Sequence, residues 1–205
     1  MAFNENTRVK IPAILHLCRL GYNYISLKNA IWDNTNNIFT DIFKESIAKI
    51  NPEADPGDIK KALENISIAL DGEDLGEAFS KMINATSGIR LIDFKNFDNN
   101  TFNVVTELPC KNGDEEFRPD ITVLVNGMTL AFIEVKKPNN QEGVLAERDR
   151  INTRFENKKF RKFINISQLL VFSNNMEYDQ ESIEPIQGAF YATTSYKSAN
   201  FNCFR

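Results

Sequence analysis

The sequence predicts an α/β or α+β fold, a central mixed β-sheet flanked by helices, with a helical N-terminal part. Three observations lead there. Apolar residues recur at three- and four-residue spacing through the opening stretch. From Ile89 the texture shortens to strand-like runs bounded by Asn, Gly and Pro. A basic, helix-patterned segment then precedes a short apolar run, giving the order helices, antiparallel strands, helix, strand.

Arg8 to Leu20 carries Ile11, Ile14, Leu15 and Cys18 at helical spacing, and Gly21 supplies the stop. His16, on the same helix, reads as a packing or surface residue. Asn34 to Ile50 places Ile38, Phe39, Ile42, Phe43, Ile47 and Ile50 on one stripe, closed by Pro52; Trp32, Phe39 and Phe43 read as core rather than as a stacking platform. Asp55-Pro56 is an N-cap followed by proline at the first helical position, and Ile59, Leu63, Ile66 and Leu70 repeat behind it up to Asp71-Gly72. A shorter helix turns Leu75, Phe79, Met82 and Ile83 inward. Ile89–Phe94 and Thr101–Leu108 are expected as strands with Asn99-Asn100 near their turn, and Cys110–Glu116 as a polar loop. Arg118–Val125 and Thr129–Lys136 follow as strands around Asn126-Gly127-Met128, since Asn-Gly between apolar runs is the strongest short hairpin signal. A helix is expected from about Gly143 to Glu156, a buried strand at Leu169–Phe172 ending in Ser173-Asn174-Asn175, and a last strand over Gly188–Thr193. Residues 1–88 are thus expected to form a helical part packed on a core of residues 89–205, the two making one compact domain.

Composition narrows the function classes. The 205 residues are 42% hydrophobic and 25% charged, ordinary for a soluble globular chain with one sizeable core. No apolar run approaches the ~18 residues of a membrane span, and the start lacks a leader's basic and apolar regions, so a cytoplasmic protein is expected, with Cys18, Cys110 and Cys203 as reduced thiols. The single histidine, His16, excludes a multi-histidine metal site. A formal net charge of −4 argues against a uniformly basic nucleic-acid binder. Residues 143–163, however, hold seven Lys and Arg against three Asp and Glu, which makes them either a local anion-binding face or a solvated helix face.

The stretch that carries chemistry is Phe117–Pro138. Strand side chains alternate, so Glu134 and Lys136 share a face, opposite Ile133 and Val135. Whether Asp120 joins them depends on register. A two-residue Asn-Gly loop with an unbulged ladder pairs Asp120 with Ile133 and turns it away. A three-residue loop, or a bulge of the same effect, pairs Asp120 with Glu134. A working site requires the second arrangement. Two adjacent carboxylates repel each other, and Mg²⁺ relieves that with oxygen ligands from both, from the Val135 carbonyl, and from water and phosphate. Such a cation makes water a better nucleophile, and Lys136 is placed to orient or deprotonate that water or to stabilise phosphate charge. The set suits in-line hydrolysis of a phosphodiester; the bland alternative is a charged strand face with Lys136 and Lys137 guarding an edge.

These residues resemble the PD-(D/E)xK nuclease superfamily, with Pro119-Asp120 as the first motif and Glu134-Val135-Lys136 as the second. More narrowly, the chain is similar to the N-terminal part of the R subunit of type I restriction enzymes. Leu20-Gly21-Tyr22, Leu91-Ile92-Asp93-Phe94, Asn99 to Val105, Arg118-Pro119-Asp120, Val125-Asn126-Gly127, Ile133 to Pro138 and Phe172 to Asn175 carry that similarity, from about residue 10 to 193. It implies a Mg²⁺-dependent endonuclease that cuts duplex DNA after ATP-driven translocation, in a complex with specificity and modification subunits. It makes Asp120, Glu134 and Lys136 catalytic, with Asp120 and Glu134 as metal ligands beside the Val135 carbonyl that the spacing already offers. It also offers Arg118, Lys137, Arg150 and Arg154 as DNA phosphate contacts, since such contacts hold the backbone without reading sequence.

Two departures stand out. No GxxxxGK[ST] loop occurs, so no translocase motor is recognisable, ATP concerns only a missing part, and the chain is expected to be an N-terminal piece of a longer protein. Relatives also carry Gln-x-x-x-Tyr on the following helix; here Phe155 takes the Tyr slot and Ile151 the Gln slot, with Gln168 and Gln141 as conceivable surrogates. A docking module that has lost cleavage is the competing reading.

Overall fold

The computed structural model describes residues 4–112, 114–137, 143–174, 176, 189–193 and 202–203. A π-helical turn, Asn6–Lys10, runs into α1 (Ile11–Arg19), and α2 (Thr40–Ile50), α3 (Pro56–Ala69) and α4 (Glu77–Ile83) follow. The strands are β1 (Asn23–Tyr24), β2 (Phe102–Thr106), β3 (Cys110–Asn112), β4 (Glu115–Phe117), β5 (Ile121–Val125), β6 (Met128–Val135), β7 (Leu169–Ser173), β8 (Ala189–Ala192) and β9 (Asn202–Cys203). Between β6 and β7 lie α5 (Gly143–Glu156), a 3₁₀ turn (Lys158–Phe160) and α6 (Arg161–Ile166).

Seven strands make one sheet in the order β1-β2-β5-β6-β7-β8-β9. It is mixed: β1 on β2 and β6 on β7 are parallel, and the other neighbours are antiparallel. The parallel β6–β7 pair is what forces α5 and α6 to cross over the sheet, because a parallel neighbour cannot be reached by a tight turn. That face is apolar, with Phe132, Leu170, Phe172, Phe190 and Ala192 packed against Val144, Ile151, Phe163 and Ile164. Leu130, Met128 and Ile166 instead join Phe43, Ile47, Ile66 and Phe79 of the helices α2 to α4, so the helical part and the sheet share a core. The expected stripe of α2 is buried at Ile38, Phe39, Phe43, Ile47 and Ile50 and half-buried at Ile42, although the helix itself starts at Thr40 rather than Asn34. The α3 cap is as expected: Asp55 accepts from Asp58 N at 2.9 Å, Asp58 accepts from Asp55 N at 3.2 Å, and Pro56 is the first helical residue.

Two expectations are corrected, and two features were not foreseen. Ile89–Phe94 is not a strand. Its backbone is claimed by amide side chains instead: Asn51 accepts from Arg90 N and donates to Arg90 O, Asn126 donates to Leu91 O, and Asn100 bonds both Asp93 N and O, all at 2.8–2.9 Å. A backbone satisfied this way has no ladder left to form. Cys110–Glu116 is not a loop throughout but holds the β3–β4 hairpin, whose Phe117 packs edge-on to Phe160 and Phe163 at 5.0 and 4.6 Å. The basic run after α5 contains a separate helix, α6. The apolar stripe of α1 is only shallowly packed: Ile14 and Leu17 are half-buried, no α1 residue is buried, and Ile11 and Leu15 are 49% and 59% exposed.

Candidate active site

Register brings the carboxylates together. Val125 pairs with Met128 across a two-residue Asn126-Gly127 turn, both residues having positive φ (51° and 79°), the type I′ geometry that Asn-Gly favours. The expected three-residue loop is therefore absent, and a bulge has its effect. Leu124 pairs with Thr129 but Val123 with Ala131, leaving Leu130 as the extra residue. Leu130 O accepts from Gln168 N at 2.7 Å and its side chain is buried, so the bulge is anchored on both counts. Past the bulge Ile121 pairs with Ile133, which sets Asp120 across from Glu134.

Asp120 Oδ2 accepts from Val135 N at 3.0 Å. Its Oδ1 accepts from Lys10 Nζ at 2.7 Å, and Lys10 also bonds Glu107. Burial pushes Asp120 up, but the bonds from Lys10 and Val135 outweigh it and hold the carboxyl below its usual range. Glu134, only 7% exposed, goes the other way. Burial first, then the charges of Asp120 and Glu147, push it up to about 9. Near neutrality the pair therefore keeps one proton, hydrogen-bonded between its members.

Lys136 follows β6 and donates its backbone N–H to Ser173 O at 2.8 Å. Its Nζ reaches Glu147 Oε1 on α5 at 3.1 Å, and both side chains are largely buried, at 17% and 5% exposure. Burial lowers Lys136, but the Glu147 charge and hydrogen bond, then Glu134 and Glu5, raise it above its ordinary value. Glu147 also accepts from Arg150.

Of the expected phosphate contacts, Arg150 is exposed beside Glu147, and Arg118 is exposed and bonded to Glu116 at 2.6 Å. Arg154 is half-buried, with its guanidinium 4.1 Å from the Phe117 ring centroid and with Glu134 and Glu147 near enough to act on its charge. Lys137 directly follows Lys136 and is half-buried, while Pro138 and Gln141 lie outside the described residues. Farther along the basic segment, Lys158 and Arg161 pair with Glu73 (3.2 and 2.7 Å), Lys159 with Glu115 (2.9 Å) and Lys162 with Asp71 (3.4 Å), so those cations answer acids of the same molecule. The Gln168 side chain donates to Asn165 O and Ile166 O rather than to the carboxylates; Asn174 is buried, Asn175 lies outside the described residues, and His16 is exposed.

Sequence reasoning missed Lys10 and Glu147 as members of the site. Nothing local flags Lys10, which lies far along the chain from Asp120. Glu147 did leave a signal: it sits at three- and four-residue spacing from Val144 and Ile151, both wholly buried, and a carboxylate on an apolar stripe needs a partner. Ile151, in the slot where an amide was expected, packs in the core.

The donor set suits a hard divalent cation. A buried carboxylate pair that must retain a proton is a pair that a cation would relieve. Among the described residues no group of three or more His, Cys, Asp and Glu is placed to hold a metal ion, so any cation here would have at most the two carboxylates as charged ligands. No helix among the described residues is long and apolar enough to cross a membrane.

Fold and site together define the class: an α+β domain that presents a carboxylate pair and a lysine from adjacent strands of a mixed sheet, under a crossing helix. The chain belongs to the family described as the type I restriction enzyme R protein N terminus, whose model matches residues 2–179. It is similar to Methanocaldococcus jannaschii proteins titled "Putative type I restriction enzyme MjaVIIIP endonuclease subunit" (26% identity over 147 residues, 71% of this chain and 14% of that one) and, under the same title for MjaIXP, 26% over 207 residues (85% and 19%). The MjaVIIP subunit is 45% identical over 47 residues, 23% of this chain and 4% of its own. The chain spans less than a fifth of the length of these relatives.

Proposed function

We propose that this domain is a Mg²⁺-dependent endonuclease of PD-(D/E)xK type that hydrolyses phosphodiester bonds of duplex DNA. In this reading it works in a cytoplasmic type I restriction complex with specificity and modification subunits, and ATP serves a motor outside this chain. One observation carries the reading: the Leu130 bulge sets Asp120 across from Glu134, with Lys136 two residues on along the same strand direction. A strand face kept merely for solubility has no need of a bulge that aligns two buried carboxylates.

Asp120, Glu134 and the Val135 carbonyl would hold the metal. When bound, Mg²⁺ supplies Lewis-acid activation of water and neutralisation of phosphate charge. The chain's own residues do the rest. Lys136, kept an ammonium by Glu147, binds a non-bridging oxygen of the scissile phosphate and stabilises the charge that builds there. That role fits its raised pKa better than proton abstraction does. Arg150 and Arg154, then Arg118 and Lys137, hold the flanking backbone.

A silent docking module draws support from the Lys10 contact, which engages the Asp120 oxygen left over by Val135. Plasmid cleavage by the protein assembled with its partner subunits separates the two. Asp120→Ala and Lys136→Ala are expected to abolish cleavage while complex formation persists. Cleavage at the wild-type rate in both variants would leave the docking reading.

A further inference from the structure

We propose that Lys10 is a tethered counter-ion that occupies the cation position at Asp120, so that a divalent metal enters only as Lys10 withdraws. The inference rests on the nuclease reading and adds to it a competitor built into the chain.

The geometry is that of occupation rather than of support. Asp120 has two carboxylate oxygens, and both are engaged: Oδ2 by the Val135 N–H at 3.0 Å, Oδ1 by the Lys10 ammonium at 2.7 Å. The first bond comes from a fixed strand, so Oδ1 is the oxygen at which an entering cation would meet Lys10. Mg²⁺ would lie about 2.1 Å from that oxygen, which puts it no more than about 5 Å from Nζ if Lys10 stayed. Two cations at that separation, in a site this dry, repel strongly. The Lys10 and Asp120 side chains are only 11% and 13% exposed, so water screens the pair poorly.

Lys10 also has somewhere to go. It bonds Glu107, whose side chain is 49% exposed at the other end of the contact, so the ammonium can move outward without losing its second partner. The segment that carries it is a π-helical turn, Asn6–Lys10, a rare geometry that recurs at functional sites. Val9 anchors the turn itself, but α1, into which it continues, has no buried residue. Glu5, one residue before the turn, acts on the charge of Lys136, so the same segment faces both ends of the site. The groups around the contact are Asp120, Glu134 and Lys136 from the hairpin, Glu107 after β2, Glu147, Arg150 and Arg154 from α5, and Glu5 itself. Lys10 is the one among them that bonds the free side of Asp120.

The test is calorimetric titration of Mn²⁺ into the protein, wild type against Lys10→Met, Lys10→Gln and Lys10→Arg, each also with Asp120→Ala. Thermal unfolding checks the fold, and Lys10→Gln keeps a donor for Asp120 should Lys10→Met destabilise the site. Removing the cation is expected to raise Mn²⁺ affinity about tenfold or more in both neutral variants, and Lys10→Arg to stay within about threefold of wild type. Asp120→Ala abolishes binding throughout. In wild type, Mn²⁺ should also speed amide hydrogen exchange across residues 5–10. Weaker or unchanged binding in Lys10→Met and Lys10→Gln, with Asp120-dependent binding in wild type, would overturn the competitor and leave the metal site standing. Absence of Asp120-dependent binding in wild type and all three variants would overturn both.

Discussion

Replacing Glu134 by Gln should make the metal-free protein more stable, by an amount that grows with pH. The carboxyl has an ordinary value of 4.5 in the unfolded chain and about 9 in the folded one, raised by burial and by the neighbouring charges of Asp120 and Glu147. Because the folded value is the higher, the native state keeps a proton that the unfolded state releases. Stability is then full below pH 4.5 and is lost as pH rises towards 9. At about 1.4 kcal/mol per pH unit, some 3 kcal/mol is gone by pH 7 and under about 1 kcal/mol at pH 5. Gln copies the shape and hydrogen-bonding capacity of the protonated carboxyl and does not titrate. Other groups of the site change outside this window: Asp120, held low, loses its contribution only as pH falls below the usual carboxylate range, and Lys10 and Lys136, held high, only above the usual lysine range. Urea unfolding of both proteins at pH 5, 7 and 8.5 reads the difference directly. Parallel pH slopes, or a variant less stable than wild type at pH 8.5, would refute the view that Glu134 is buried against uncompensated negative charge.

Mn²⁺ binding at pH 7 should release about one proton, because the carboxylate pair gives up the one it holds; calorimetry in buffers of different ionisation enthalpy counts it, and release should vanish above pH 10. Glu147→Ala should move the high-pH limb of the cleavage profile downwards, since Lys136 loses the charge that raises it, and Glu147→Gln should restore position more than charge; an unmoved limb in Glu147→Ala would mean Lys136 does not act as a cation. Gly127→Val should cost about 3 kcal/mol or more in denaturant unfolding: φ is 79°, and a Cβ would meet Phe39 O at 2.6 Å and Phe43 N at 2.7 Å.

Much of this was legible because local chemistry and tertiary need agreed. The α3 cap, the α2 stripe, the Asn-Gly turn and the α5 bounds are each written in a few adjacent residues. That Asp120 and Glu134 face each other was anticipated from alternation plus the demand that two carboxylates meet, and that demand anticipated a bulge without locating it at Leu130. Failures came where distant residues decide. Ile89–Phe94 has strand composition, but Asn51, Asn100 and Asn126 take its backbone from elsewhere in the chain. Phe117 looked like the edge of a loop, yet its burial against Phe160 and Phe163 makes the β3–β4 hairpin worth forming. Lys10 was invisible for the same reason: its meaning is supplied by Asp120, about half the chain further on.

The bulge at Leu130 turns the site into a matter of parity. With a two-residue turn and an even ladder, residues facing each other across the hairpin are an odd number apart; the extra residue makes the separation between Asp120 and Glu134 even. A single inserted or deleted residue anywhere between them reverses that parity and sends one carboxylate to the opposite side of the sheet, however conservative the change looks. Hairpins of this kind can therefore lengthen or shorten by compensated pairs, or by moving the bulge, and any lineage that alters the count by one must add a second change or give up the site.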